Sequence, residues 1–209
     1  MIDIETIREV VRRQLDIHEI SELQDIVIIR STTLTKIKKQ LEEEHEINTK
    51  RDIYTQILLA LYLELRLQGY RPVKIFRHNN SIAREIIFKK STLCTTPIYC
   101  REEKMTILHA ADLVFDFLEH CMRTKRPYLI NVSKPELGYK FGILDILEWT
   151  QKKCGKQIQL STILITKAVK TIAAALGFTV DKRELSGSLR VRYYLYPNTS
   201  TSTQTTKTA

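Results

Sequence analysis

The sequence contains the same succession of patterns twice, once in each half. The stretch that ends at Tyr70 has the pattern of a short amphipathic helix, a polar break and a longer helix, and the stretch that ends at Phe178 repeats it. Gly69 and Gly177 precede these two aromatic residues, at the positions where a helix commonly ends on a left-handed residue. A repeat on this scale predicts two similar units.

Each glycine-aromatic pair is followed by the pattern of a β-hairpin. The first half continues with PVKIF, RHNNS and IAREIIFKK, and the second with TVDKREL, SGS and LRVRYYLYP. In both cases a polar turn separates two alternating segments, and Asn79-Asn80 and Ser186-Gly187 are typical hairpin-turn residues. We therefore expect helix, helix and hairpin in each half.

This order resembles the winged helix-turn-helix superfamily, twice over, across about residues 30–90 and 137–197. The resemblance implies compact α+β modules in which the second core helix often enters a DNA major groove and the hairpin contacts the adjacent backbone or minor groove. Other members of the superfamily bind RNA or only proteins, so the fold alone leaves the function open. The fold class expected is mainly α with short β-hairpins, as tandem winged-helix domains. Their predicted bounds are residues 1–100 and 101–197, followed by a disordered Ser/Thr-rich tail at 198–209.

The formal net charge of +9 is concentrated in two stretches of the chain. Residues 71–104 hold 8 Lys and Arg against 3 Asp and Glu, and residues 149–209 hold 10 against 2. The remaining stretches are slightly acidic. Such blocks indicate that particular surfaces carry the positive field, which is typical of proteins that bind polyanions.

The sequence carries no pattern typical of a membrane protein, a secreted protein or an enzyme. No stretch approaches the roughly 18 apolar residues of a membrane span, and the first residues mix charges into every turn, unlike a secretory signal. The sequence has no glycine-rich phosphate loop, HExxH or GxSxG motif. We expect an intracellular protein, in the cytoplasm or the nucleoid or nucleus. We expect no enzymatic activity, cofactor, small-molecule substrate or membrane partner.

The longer helix of the second half has the residues of a recognition helix. Ser161 is a suitable N-cap, and Thr162, Thr166, Lys167 and Lys170 are expected to point outward. Hydroxyls and lysines near a helix start suit base edges and phosphates, although a solvated helix face is the alternative.

The second hairpin adds a basic and aromatic surface. Strand alternation places Val191, Tyr193 and Leu195 on one face and the basic and aromatic residues on the other. Arginine bonds phosphate in a bidentate way and tyrosine adds a hydroxyl, whereas an edge strand protected by charge is the alternative. The predicted contacts of this hairpin are Arg190, Arg192, Tyr194, Lys182 and Arg183.

The first half is a weaker candidate for DNA binding. Its predicted leading core helix at Lys36–Glu46 carries the acidic run Glu42–Glu44, which would repel phosphates. The next helix has too many apolar residues between Tyr54 and Leu67 for one narrow face, so we expect it to be buried on several sides. Further DNA contacts are predicted at Lys50, Arg51, Lys74, Arg77 and Arg84.

Two amphipathic helices lead the halves, at Ile4–Leu15 and Met105–Met122. Each carries an apolar stripe that fits either its own domain core or a neighbouring module. A homodimer is compatible with these stripes but not required by them.

The cysteines do not match a metal site. The spacing of Cys94, Cys100, His109, His120 and Cys121 lacks the short CxxC-type pairs of structural zinc. A Cys94–Cys100 disulfide and isolated reduced cysteines both remain open.

The leading hypothesis from the sequence is a double-stranded DNA-binding protein, in transcription regulation, replication or plasmid or chromosome maintenance. The alternatives are a winged-helix assembly module with an acidic protein partner, and an RNA-binding protein.

Overall fold

The computed structural model describes residues 3–15, 25–45, 53–77, 83–94, 96–101, 105–124, 139–184 and 191–198. The same order of helix, strand, two helices and two strands occurs twice, which confirms a mixed α+β fold. The first unit comprises α1 (Ile4–Leu15), β1 (Ile26–Arg30), α2 (Ser31–His45), α3 (Ile53–Leu67), β2 (Tyr70–Arg77) and β3 (Ala83–Lys90). The second comprises α4 (Ile107–Thr124), β4 (Tyr139–Gly142), α5 (Ile143–Cys154), α6 (Thr162–Ala175), β5 (Phe178–Glu184) and β6 (Val191–Pro197). Single 3-10 turns at Ser91–Leu93 and Ile98–Cys100 lie between the units.

Each unit has a three-stranded antiparallel sheet with its last strand in the centre. The strand orders are β1-β3-β2 and β4-β6-β5. Both hairpins lie where the sequence predicts them, whereas β1 and β4 were not predicted. These two strands are short and run directly into α2 and α5 without a loop between them.

The helix ends show how closely the two units match. Gly69 and Gly177 both have φ 85°, as their positions in the sequence predict. The Ser91 N–H donates to the Gly69 carbonyl at 2.7 Å, and the Asn198 N–H donates to the Gly177 carbonyl at 2.8 Å. The repeat therefore extends to individual backbone hydrogen bonds.

A single apolar core runs through both units. The leading helix α1 begins and ends as predicted and buries Ile7, Val10 and Val11, mainly against α3. Helix α4 begins at Ile107 rather than Met105, and every residue from Ile107 to Leu118 is buried. It packs against α6 of its own unit and also against α3 of the first unit. Helix α4 is therefore the central helix that joins the two halves.

Helix α3 is buried on several sides, as its apolar excess predicts. All residues from Leu59 to Leu65 are buried, and the helix contacts α1, α2, α4, α6 and β2. Helix α2 begins at Ser31, before the predicted start at Lys36, because it follows β1 without a loop. The predicted disordered tail lies outside the described residues from residue 199 onward.

Candidate nucleic-acid interface

Helix α6 has one buried side and one exposed side. Ser161 caps it, because its Oγ accepts a hydrogen bond from the Leu164 N–H at 3.5 Å. The core side buries Ile165, Ala168, Val169, Ile172 and Ala173. The opposite side, which we call the α6 face, comprises Ile163, Lys167, Lys170 and Ala174 at helical spacing. Lys170 and Ala174 are exposed and Lys167 is half-buried.

Thr166 does not belong to this exposed side, so the predicted outward orientation is wrong. Its Oγ1 donates to the Thr162 carbonyl at 2.8 Å and lies 2.8 Å from the Tyr193 hydroxyl. Tyr193 is fully buried on β6, and a buried phenol needs a polar partner. Thr166 is therefore a half-buried hydrogen-bond partner of the core residue Tyr193. Thr162 is half-buried in the first turn of α6.

The repeat provides an internal comparison for the α6 face. At the same distances before the terminal glycine, α3 carries Leu59 where α6 carries Lys167, and Tyr62 where α6 carries Lys170. Leu59 and Tyr62 are 2% and 0% exposed. The Tyr62 hydroxyl lies 3.3 Å from Asp112 of α4, so α4 occupies this side of α3. The equivalent side of α6 is apolar only at its two ends and has lysines between them.

The outer face of the second sheet carries basic groups around Tyr194. Lys140 Nζ lies 5.3 Å and the Arg183 guanidinium 4.6 Å from the centre of the Tyr194 ring. Arg183 is the cross-strand partner of Arg192, and the Arg183 Nε donates to Asp181 at 3.0 Å. Directly opposed residues of antiparallel strands share a face, and like charges there are unfavourable without a counterion. We call Lys140, Arg183, Arg192 and Tyr194 the sheet face.

The division of β6 into an apolar and a basic face is confirmed for the described residues. Val191, Tyr193 and Leu195 are buried, whereas Arg192 is exposed and Tyr194 half-buried. Lys182 pairs with Tyr193 and therefore lies on the helix side of the sheet. Lys182 and Arg183 therefore lie on opposite faces of the sheet.

The site residues predicted in the first unit are placed only in part. Lys74 is exposed with its Nζ 4.4 Å from the centre of the Phe76 ring, and Arg84 is exposed on β3. Arg77 ends β2, but its side chain lies outside the described residues, as do Lys50, Arg51 and Arg190.

A buried ionic cluster joins the two units, and the sequence did not single it out. Asp112 of α4 accepts hydrogen bonds from Arg71 at 3.2 and 2.8 Å. One turn later Asp116 accepts from Arg71 at 2.7 Å and from the Tyr99 hydroxyl at 2.8 Å. Lys153 of α5 reaches the same carboxylate at 3.1 Å. The available signal was two aspartates at i, i+4 spacing within the buried stretch Ile107–Leu118, whose other residues are apolar apart from His109.

The two aspartates have different electrostatic environments. Complete burial raises the pKa of Asp112 to about 6, against the opposing effect of Arg71. Burial also acts on Asp116, but Arg71, Lys153 and the Tyr99 hydroxyl outweigh it, so the pKa of Asp116 lies below its ordinary value. The cluster is a structural junction, because its carboxylates are already bonded to the protein's own cations.

A disulfide adjoins this cluster. Cys100 and Cys154 are bonded across 54 residues, which links the segment after the first unit to the end of α5. A Cys94–Cys100 bond is therefore wrong, and Cys94 is a free cysteine. Cys121 is also free, and burial raises its pKa to about 12. Within the described ranges, no group of three His, Cys, Asp or Glu side chains is arranged to hold a metal ion.

Comparisons with known proteins do not assign the chain to a family. No family model, curated protein or solved structure matches it.

None of the helices in the described part of the chain is both long and apolar enough to cross a bilayer.

Proposed function

We propose that this protein binds double-stranded DNA through two tandem winged-helix units, with the second unit making the main contact. Helix α6 would enter the major groove, and the sheet face would contact the phosphate backbone. The order of elements in each unit is the one expected of a winged helix. The process served would be transcription regulation, replication or plasmid or chromosome maintenance inside the cell.

The observation that carries this proposal is the difference between equivalent sides of α3 and α6. In the first unit this side has Leu59 and Tyr62, both buried, and the Tyr62 hydroxyl lies against Asp112 of α4. In the second unit Lys167 and Lys170 stand at the equivalent positions. Lysines suit a polyanion and oppose burial in an apolar interface. The equivalent side of α6 is therefore basic, with Lys170 exposed and Lys167 half-buried.

The sheet face supports the same ligand. Arg183 and Arg192 stand opposite each other, and a phosphate between or beside them would relieve their repulsion. Lys140 adds a third cation from β4, and Asp181 is paired with Arg183. The predicted contact at Arg190 belongs to the same strand but lies outside the described residues.

Salt-dependent binding to random duplex DNA tests the proposal. Log affinity is expected to fall linearly with log salt, by about 0.9 for each phosphate neutralised. Replacing Lys167 and Lys170 by Ala should weaken binding to all sequences and flatten this slope by up to about 1.8.

A matched control is available on α2. Lys36 and Lys39 are exposed there, and replacing both by Ala removes the same charge from the first unit. This variant should keep the parent slope. Equal losses in the two variants would show only a dependence on net charge and would refute the α6 assignment.

A second candidate function has one specific observation in its favour. Ile26 and Ile28 of the edge strand β1 are 45% and 49% exposed on the outer side of the first sheet. An exposed apolar patch is typical of a protein interface, which fits an assembly module. Absence of duplex binding at low salt, together with oligomers in light scattering, would favour that function. Tighter binding to RNA than to duplex DNA in the same titration would favour an RNA ligand.

A further inference from the structure

Ile163 is an exposed apolar residue at the start of the α6 face. It is 71% exposed, more than any other large hydrophobic side chain in the described part of the chain. It directly follows Thr162, the first residue of α6, and precedes Lys167 by one turn. The residue at the equivalent position of α3 is Thr55. The apolar side chain is therefore specific to the second unit.

The surroundings of Ile163 favour a nucleic-acid partner over a second apolar surface. Lys167 and Lys170 follow it on the same side of the helix, and Lys156 is exposed in the preceding turn. These cations are complementary to a phosphate backbone. A protein interface centred on Ile163 would have to bury or pair these lysines.

We propose that Ile163 reads the C5-methyl group of thymine in the major groove. This inference rests on the proposed binding of duplex DNA. The thymine methyl is the one apolar group that base edges display in that groove, and a branched aliphatic side chain can exclude water from it. Residues in the first turn of a recognition helix are the ones that reach base edges. The lysines of the α6 face then hold the helix in the groove while Ile163 distinguishes thymine from the other bases.

The experiment begins with duplexes selected by the protein from a random library. Each thymine of a selected duplex is replaced in turn by deoxyuridine, which removes only the methyl group, and affinity is measured by fluorescence anisotropy. One position should lose affinity about fourfold, the change for one methyl group removed from apolar contact.

Two variants assign the effect to a residue. Ile163→Ala should bind the thymine duplex more weakly and show no further loss with deoxyuridine at that position. Leu144→Ala is the matched control, because Leu144 is also an exposed apolar residue, on α5 at 54%. This control should retain the fourfold loss, and circular dichroism checks that both variants fold.

The outcomes separate this inference from the proposed function. If no duplex is bound at low salt, both fail. Duplex binding without a shared thymine, or with a methyl effect that survives in Ile163→Ala, overturns the role of Ile163 and leaves the proposed function standing.

Discussion

At the scale of single residues, the buried ionic cluster holds two aspartates one helical turn apart whose pKa values shift in opposite directions. Asp112 is 0% exposed and faces Arg71 and the Tyr62 hydroxyl. Asp116 is reached in addition by Lys153 and Arg66. Burial has the larger effect on the pKa of Asp112, whereas the neighbouring cations and hydrogen bonds together have the larger effect on the pKa of Asp116. Since both carboxylates share Arg71, they titrate as a pair.

The raised pKa of Asp112 gives a pH-dependent prediction. A carboxyl whose pKa rises on folding contributes stability that is present below its unfolded value, 3.8, and is lost as pH rises through about 6. Asp112→Asn removes this titration. The free energy of unfolding of the variant should therefore increase relative to the parent as pH rises from 4 to 7. Urea unfolding at several pH values measures it. A relative decrease over the same window would show that Arg71, rather than burial, dominates at Asp112.

Tyr193 and Thr166 allow a smaller test at the same scale. Their hydroxyls lie 2.8 Å apart, and Tyr193 is fully buried. Tyr193→Phe should cost about 1 kcal/mol, because one buried hydrogen bond is lost while the ring remains packed. Chemical denaturation of the Tyr193→Phe and Thr166→Val variants and of the double variant forms a cycle. Additive losses would show that the two hydroxyls do not interact.

At the scale of elements, α3 and α6 are the same helix of the repeat placed in two surroundings. The side of α3 that holds Tyr62 packs under α4, and the equivalent side of α6 is exposed at Lys170. Helix α3 is thus enclosed on this side, whereas α6 is exposed at Lys170 and half-buried at Lys167.

Equivalent substitutions in the two helices should therefore have unequal effects. Tyr62→Ala should reduce the free energy of unfolding by about 3 to 5 kcal/mol, because it removes a fully buried aromatic ring. Lys170→Ala should change it by less than about 0.5 kcal/mol, since the side chain is exposed. Urea titrations compare the two directly. Similar losses would mean that α6 is covered as α3 is.

The elements that the sequence predicted are those with strong local signals. Gly69 and Gly177, the N-cap Ser161 and the alternation on β6 each act within a few residues, and the structure confirms them. Strand β1 does carry a local signal, since Ile26–Ile29 are four consecutive β-branched residues, whereas β4 has only four residues and is defined by its pairing with β6. The wrong orientation of Thr166 has a similar cause, since its partner Tyr193 is distant in the chain.

At the scale of the whole molecule, the described residues form one core instead of two separate ones. Apolar contacts continue from α1 through α4 to β6, and the ionic cluster and disulfide lie where the halves meet. Thermal unfolding should therefore show a single cooperative transition. Differential scanning calorimetry should give equal calorimetric and van't Hoff enthalpies. Two resolved transitions would indicate independent units.

The disulfide should contribute strongly to this stability. Closing a loop of 54 residues is expected to stabilise the fold by about 4 kcal/mol in the chain-entropy model. Adding a thiol reductant to the parent protein should therefore lower its free energy of unfolding by about the same amount. The variant with both Cys100→Ser and Cys154→Ser should no longer respond to reductant, whereas Cys94→Ser should respond like the parent. A parent protein that is unaffected by reductant would contradict the assigned pairing.

The position of α4 also bears on the order in which a growing chain can fold. The segment up to residue 101 contains every strand and helix of the first unit, yet α4, which packs against α3 at Tyr62, follows only at Ile107–Thr124. Until α4 has been synthesised, an apolar side of α3 has no cover, and exposed apolar surface favours aggregation. The first unit should consequently reach its final packing only after the ribosome has begun the second. Dividing the chain between the two copies of the repeat would therefore separate α4 from the apolar side of α3 on which it packs.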